Sequence, residues 1–353
     1  MANKVAKIPV IDLSGENQEQ VAKELVEAAI EHGFIYIKNT GKDIPADAVH
    51  GAFDMGRKIF KAPLEEKQAC TIQKNNRGWS AMQYETLDPS TQRVGDFKDG
   101  SRAFNFGEFI NGKADQPMPP TIAPHESQIN DFRELCYNLC LKINTLLGIG
   151  LQVTPPDFFK NAHVRERGAS GTILRFLYYP PHTDTPDANR EEDVRAGAHS
   201  DYGSMTLLFR LKGQAGLEIL TQDGKTWAPV PVVPPGTEND PSPPILLNIG
   251  DLLSYWTNGL LRSTVHRVVF PGPGKTSVAG ETDTEPRYSI AFFCHPVGTT
   301  LLEPVPSERV RNHEGDAQAK QGNPYAERKV LTADEHLHMR LKASYLQLYK
   351  DKE

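Results

Sequence analysis

The feature that most constrains this chain is a series of short apolar runs between residues 171 and 296. TILRFLYYP, MTLLFRL, GLEILT, WAPVPVV, ILLNIGDLLSYW, RSTVHRVVF and RYSIAFFCHP follow one another, separated by Gly, Pro and Asp turn signals. Such runs, rich in β-branched and aromatic residues, predict strands. A parallel sheet would need a helical crossover of about a dozen residues between successive strands. Gly, Pro and Asp turn signals, not a helical pattern, fill the connections. The runs therefore predict a mainly β fold with α elements, either a barrel or a double-sheet jelly roll.

The first half has a different texture. IPVIDLS at 8–14 predicts an opening strand, and residues 17–32 a helix capped by Ser14 or Asn17. The apolar face of that helix is Val21, Leu25, Ala28 and Ala29, and Gly33 ends it. FIYIKN at 34–39 predicts a strand, and a helix follows from Ala46 to Phe60, entered by Pro45 and stopped before Pro63. Residues 72–121 read as a long loop with short elements. Phe132, Leu135, Leu139, Ile143, Leu146 and Leu147 recur at helical spacing and predict a helix over 126–147. A last helix is predicted over ADEHLHMRLKASYLQLY, and 229–244 and 272–286 read as mobile loops. The expected organisation is a mixed α/β cover region (1–165), a β core (166–300) and a helical tail packing on it (301–353).

Composition excludes some functions. A net charge of −6 with no dominant basic stretch argues against nucleic-acid binding. No signal-like or membrane-length apolar run occurs, so a cytoplasmic location is expected, without membrane partners. Four cysteines in 353 residues do not make a disulfide framework. Cys136 and Cys140, four apart in a helical pattern, read as a buried helix face. The oligomeric state is not legible.

The chemistry centres on RAGAHSDYGSMTLLF at 195–209. In a strand, residues i and i+2 share a face, so His199 and Asp201 can point into one cavity with Ser200 turned away. They are either two polar residues at a sheet edge or two arms of a metal site. A third arm is available in His266, within RSTVHRVVF. Two histidines and a carboxylate on one face of an octahedral ion leave three positions open, the donor set of non-haem Fe(II) oxygenases. Arg287 and Ser289 in RYS share a face by the same logic. A guanidinium fork plus a hydroxyl can clamp a carboxylate. Beside an open ferrous site, that clamp suits 2-oxoglutarate, whose keto-acid end chelates the metal and leaves a position for O2. The bland alternative for Arg287 is a surface ion pair.

Taken together, H-x-D, a later strand histidine and R-x-S resemble the 2-oxoglutarate- and Fe(II)-dependent dioxygenases of the isopenicillin N synthase-like group. IPVIDLS, HGFIYIKNTG and NRGW resemble that family's N-terminal region. LRFLYYPP, GAHSDYGSMTLLF, LLNIGDLLSYWTNG, STVHRV and PRYSIAFFCHP resemble its catalytic core. The resemblance implies a double-stranded β-helix (jelly roll) with an N-terminal helical cover. It implies iron ligands at His199, Asp201 and His266, and 2-oxoglutarate contacts from Arg287, Ser289 and Tyr179. The implied reaction hydroxylates or otherwise oxidises a C–H bond of a small molecule, with decarboxylation of 2-oxoglutarate to succinate and CO2, ascorbate acting as a supporting reductant. Within the family the texture is similar to fungal thymine hydroxylases, which implies Arg175, Tyr202 and Phe293 as base-binding residues. Ala198, where those enzymes carry an acidic residue, and the 86–112 and 229–244 regions depart from them. Arg175 shares a strand face with Tyr179, and an inward arginine is costly unless paired, so it meets either a polar substrate or a protein carboxylate. Three alternatives stand beside thymine or a related pyrimidine: a fungal secondary-metabolite intermediate as substrate, an iron oxidase independent of 2-oxoglutarate, and a non-catalytic jelly-roll binding protein.

The remaining signals have structural readings. GPGKT at 272–276 lacks the first glycine of a phosphate loop. His295 is expected to be structural, His336 and His338 solvated, and Trp79 and Trp256 packing residues.

Overall fold

The computed structural model describes residues 5–80, 102–180, 194–269, 286–313 and 329–344. In chain order the elements are β1 (Val10–Ile11), α1 (Gln18–Glu31), β2 (Phe34–Ile37), α2 (Ala46–Lys61), α3 (Leu64–Gln68), β3 (Gly78–Ser80), β4 (Arg102–Phe106), β5 (Phe109–Ile110) and β6 (Lys113–Ala114). They continue with α4 (Glu126–Gly150), α5 (Phe158–Ala162), β7 (Ile173–Tyr179), β8 (Val194–His199), β9 (Met205–Arg210), β10 (Leu217–Leu220) and β11 (Trp227–Pro229). The last are β12 (Ile245–Ile249), α6 (Asp251–Trp256), β13 (His266–Val269), β14 (Arg287–Cys294), α7 (Glu308–Arg311) and α8 (Ala333–Ser344).

The fold is mixed α/β with extensive sheets. The large sheet has the order β1-β2-β12-β9-β14-β7-β4-β3, and a four-stranded sheet runs β11-β10-β13-β8. The pairings are antiparallel except for β1 with β2.

Alternation along the strands explains the layers. On β14, Tyr288, Ile290, Phe292 and Cys294 join the core formed with Leu25, Phe53, Ile59, Phe132 and Ile143 of the helices. On β12, Ile245, Leu247 and Ile249 do the same. The other face of the large sheet supplies Phe34, Tyr36 and Leu246 to a second core, shared with Ala196, Leu217, Ile219 and Val268 of the small sheet. The large sheet is thus covered on both sides, by helices and by the second sheet. Strands buried on both faces read as continuous apolar runs, which is why the sequence shows them so clearly. The polar residues of those strands fall between the sheets, and the site forms there.

Local signals act where the sequence placed them. Asn17 caps α1, its Oδ1 accepting from the Gln20 amide at 3.1 Å, while Ser14 bonds Asp12 instead. Gly33 ends the helix at φ +68, and a Cβ there would lie 2.2 Å from the Arg262 carbonyl oxygen. Cys136 and Cys140 are buried on α4, and Trp256 packs against Phe158 and Phe159.

Several expectations change. The 72–121 region contributes β3 and β4 to the large sheet, with β4 paired to β7 from Arg102 to Phe106. Five residues flanked by polar sequence carry too little period-two pattern to show this. ILLNIGDLLSYW is not one strand: it turns at Gly250 into helix α6, because Asp251 starts a helical turn and Leu252, Leu253 and Trp256 pack as a helix face. The 229–244 segment is anchored, with Val230, Val232, Thr237 and Ser242 buried and Asn39 Nδ2 donating to Ser242 Oγ at 2.9 Å. His336 is fully buried, contrary to the solvated reading, because α8 lies against the body and turns it toward the Tyr255 ring at 5.8 Å. His338 is exposed. GPGKT and residues 345–349 of the expected tail helix lie outside the described residues, as does most of 86–112. Among the described residues no helix is long and apolar enough to cross a membrane.

Candidate active site

His199 is the last residue of β8, and His266 opens β13. The two are direct partners across the β8–β13 ladder, their rings 4.3 Å apart. Asp201 lies two residues beyond the end of β8, in the connection to β9, not within a strand as the period-two reading has it. The alternation nevertheless carries over that step. Ser200 turns away to donate to Asp251 Oδ2 at 3.0 Å, and Asp201 turns inward. Donor atoms of His199, Asp201 and His266 all lie within 4.8 Å of one another.

The hydrogen bonds around the triad assign its donor atoms. His199 Nδ1 faces the Gly197 carbonyl at 2.8 Å and His266 Nδ1 the Thr264 carbonyl at 3.1 Å. A carbonyl only accepts, so each Nδ1 carries the proton and each Nε2 presents its lone pair. Both Nε2 atoms face Asp201 Oδ1, at 3.8 and 3.7 Å, too far for a hydrogen bond. Asp201 Oδ2 accepts from Thr206 Oγ1 at 2.6 Å and Asn248 Nδ2 at 2.7 Å, which leaves Oδ1 turned to the histidines. Burial alone would push this carboxyl up. The positive charge that the two imidazoles carry when protonated, with the Thr206 and Asn248 bonds, outweighs burial and holds it below the ordinary carboxylate range. Second partners that fix tautomer and orientation in this way are the usual support of a metal centre. The donor set therefore fits a divalent iron with open positions.

A second cluster lies on the same inner face. Arg287 and Tyr179 are direct partners across the β7–β14 ladder, with the guanidinium carbon 5.0 Å from the ring centre. Ser289 is the next inward residue of β14, and both Arg287 and Ser289 are buried. Arg287 Nε donates to the carbonyls of Ala215 and Gln214, at 3.0 and 3.3 Å. Its Nη1 is buried and has no protein partner among the described residues. Burial, with Arg195 and Arg210 nearby, brings its pKa down to about 10 despite Tyr179. This is a buried, cationic, under-satisfied fork, not a surface ion pair. Such a group is costly without an anionic ligand.

Arg175 lies four residues before Tyr179 on the same face of β7, about 13 Å away at ~3.3 Å per residue. Its Nε donates to Asn105 Oδ1 of β4 at 2.8 Å, and its guanidinium stands 5.5 Å from the Phe293 ring centre. Arg175 and Phe293 are thus brought together. Tyr202 has a different setting: Arg340 of α8 stacks on its ring at 4.9 Å, and it packs with Ile72 and Leu337. Sequence reading missed Thr206, Asn248, Asn105 and Arg340. Only Thr206 carried a signal, as the polar position in the alternation of MTLLFR. His295 is buried, as expected of a structural residue, and its imidazole is held down to about 3 by burial and by His336 and His163.

Two histidines and one carboxylate, supported this way between two sheets, define a mononuclear non-haem iron oxygenase. The comparisons with known proteins give the family. Residues 8–126 match the N-terminal region of non-haem dioxygenases of morphine synthesis, and residues 170–296 match the 2OG-Fe(II) oxygenase superfamily. A protein of Schizosaccharomyces pombe is 36% identical over 86% of each chain. The 2-oxoglutarate-dependent dioxygenase gloF of Glarea lozoyensis is 30% identical, covering 82% of this chain and 86% of its own. A full-length Neurospora crassa protein, solved in complex with α-ketoglutarate and thymine, superposes with a TM-score of 0.72 at 28% identity, over 97% of this chain and 99% of that one. The chain belongs to the 2OG-Fe(II) oxygenase superfamily. It is a 2-oxoglutarate-dependent dioxygenase, and Fe(II), 2-oxoglutarate and O2 are its cofactor and cosubstrates.

Proposed function

We propose that the enzyme hydroxylates a small planar heterocycle, thymine or a related pyrimidine, within a double-stranded β-helix core. His199, Asp201 and His266 hold iron through two Nε2 atoms and Asp201 Oδ1. Arg287 and Ser289 clamp the distal carboxylate of 2-oxoglutarate, with Tyr179 donating to the same cosubstrate. The single observation that carries the cosubstrate assignment is the buried Arg287 Nη1, a charge-assisted donor without a protein acceptor among the described residues. The complete triad argues against a non-catalytic binding protein, because an unused buried His-Asp-His set would make a poor core. Bound iron with 2-oxoglutarate and O2 supplies the oxidising power for C–H attack, with decarboxylation of 2-oxoglutarate to succinate and CO2.

The chain's own residues orient and shield. Thr206 and Asn248 fix Asp201, and the Gly197 and Thr264 carbonyls fix the two imidazoles. At the other end of the inner face, Arg175 is braced by the neutral amide of Asn105, and it borders the flat face of Phe293. A cation beside an aromatic face suits a planar ring bearing carbonyl acceptors. The neighbour that superposes on this chain carries thymine, which supports the same reading.

The test is an aerobic incubation with Fe(II), ascorbate, 2-oxoglutarate and thymine, with succinate quantified and the thymine product weighed by mass spectrometry. Succinate together with a product one oxygen heavier is expected. Succinate without that product would refute thymine and keep the reaction class. Product formed at an unchanged rate without 2-oxoglutarate would overturn the cosubstrate assignment.

A further inference from the structure

Asp251, the first residue of α6, joins three separate parts of the chain. Its Oδ2 accepts from Ser200, between the metal-site residues His199 and Asp201, at 3.0 Å. Its Oδ1 accepts from Ser263, three residues before His266, at 2.7 Å. Its backbone amide donates to the Asp201 carbonyl at 2.7 Å. The third part is the C-terminal helix: Arg340 Nη2 lies 2.7 Å from Asp251 Oδ2 and 3.5 Å from Ser200 Oγ. The same guanidinium stacks on Tyr202, the residue after Asp201.

The two ends of α8 are held differently. Its N-terminal end is tied by backbone: Ala333 donates to Thr300, Asp334 to Gly298, and Leu302 to Leu331. The approach there is close: a Cβ at Gly298 would lie 2.1 Å from the Asp334 carboxylate, so that side chain would have to turn aside. Further along, Leu337 sits over Gly171, where a Cβ would meet it at 2.3 Å. Beyond that point Leu337 and Leu341 make a small apolar cluster with Ile72 and Tyr202, and Arg340 is the polar tie.

We infer that Arg340 is a positioning residue: it pins the distal half of α8 to the Asp251 carboxylate and, through Ser200 and Ser263, steadies both metal-ligand segments. This inference rests on the reading of His199, Asp201 and His266 as the iron site. An isolated charge pair on the surface contributes little. This one is only partly exposed, hydrogen-bonded to a serine, and stacked on a ring, so its loss releases a defined segment.

The experiment is hydrogen exchange with mass spectrometry on the full-length protein, both apo and loaded anaerobically with Fe(II) and 2-oxoglutarate, comparing wild type, Arg340→Gln and Arg340→Lys. In Arg340→Gln, exchange in residues 338–344 should rise at least tenfold, while 331–336 and β14 stay at the wild-type rate. Arg340→Lys, which keeps the charge, should fall between. Wild-type exchange over 338–344 in Arg340→Gln would overturn the pin. So would an equal rise across α8 and the strands in both variants, since that is general loss of stability. Arg340→Gln should also weaken Fe(II) binding about threefold or more by anaerobic metal titration, with Arg340→Lys restoring part of it; an Fe(II) affinity equal to wild type in Arg340→Gln would overturn the positioning role. Failure of the wild type to bind 2-oxoglutarate would sink the underlying site reading, a result the exchange data on apo protein do not depend on.

Discussion

Replacing Arg287 with lysine isolates the fork from the charge. In the native protein Nε is occupied by the Gln214 and Ala215 carbonyls, and the guanidinium lies against Tyr179. Tyr179 also hydrogen-bonds the guanidinium, and what remains for a ligand is its distal end, above all the unpartnered Nη1. Lysine retains one positive charge but cannot make two parallel bonds to a carboxylate while also serving those carbonyls. The variant therefore loses about one charge-assisted hydrogen bond to the ligand, worth about 1.5–3 kcal/mol. That corresponds to a rise of roughly 10- to 150-fold in half-saturating 2-oxoglutarate. The assay is succinate formation against 2-oxoglutarate concentration, repeated as anaerobic binding, with a thermal melt to show that the fold is intact. A shift under threefold in a folded variant would refute the clamp. A comparable rise in half-saturating thymine would mean that the fork serves the other end of the cavity.

Further outcomes are expected at the metal, in the acid range and in the scaffold. Thr206→Val combined with Asn248→Leu leaves Asp201 Oδ2 without its two donors and should weaken Fe(II) binding by about 10- to 100-fold, read by metal titration; an unchanged affinity would remove both residues from that role. His163, His295 and His336 are held down to about 4, 3 and 4, chiefly by burial. Their folded values lie below the unfolded value, so the unfolded chain takes up the protons first. The stability they contribute is fully present above about pH 6.5 and is lost as pH falls toward 4, at up to about 1.4 kcal/mol per pH unit for each histidine. His336→Leu should flatten that decline by one proton's worth, measured as unfolding free energy against pH, and an identical slope would contradict the assignment. Gly33→Ala should cost at least ~2 kcal/mol in chemical denaturation, because it combines a positive φ with a Cβ 2.2 Å from a carbonyl oxygen; a wild-type midpoint would show that the α1–β2 corner can shift.

Much of the molecule was legible in one dimension. Of the strands that carry the site, β7, β9 and β14 are buried on nearly every residue and β13 alternates, so their composition announces them. The caps and stops of α1 and α2 are local chemistry, and Asn17, Gly33 and Pro63 acted where they stood. His199 and Asp201 are two residues apart, and Arg287 and Ser289 likewise, so a period-two reading put each pair on a common side even though Asp201 lies past the end of β8. Other features had no local signature. Strand β4 is five residues long in polar surroundings, and it became a strand by pairing with β7. That pairing, not any motif, put Asn105 beside Arg175. DLLSYW has the same apolar content as its neighbours, and its helical form follows from the turn at Gly250.

What the sequence by itself determined is the set of donors and their alternation: two histidines, a carboxylate, an arginine and a serine on strand-forming segments. What only the tertiary structure decided is which of their atoms face one another. The Gly197 and Thr264 carbonyls choose the histidine tautomers, Thr206 and Asn248 choose the free oxygen of Asp201, and the pairing of β7 with β14 sets Tyr179 against Arg287. Arg340 and His336 make the same point, since nothing in a polar terminal helix foretells a link to a carboxylate 89 residues earlier or full burial. Hydrogen-bond partners far apart in the chain are selected by where the layers close, and that selection depends on packing the whole core at once.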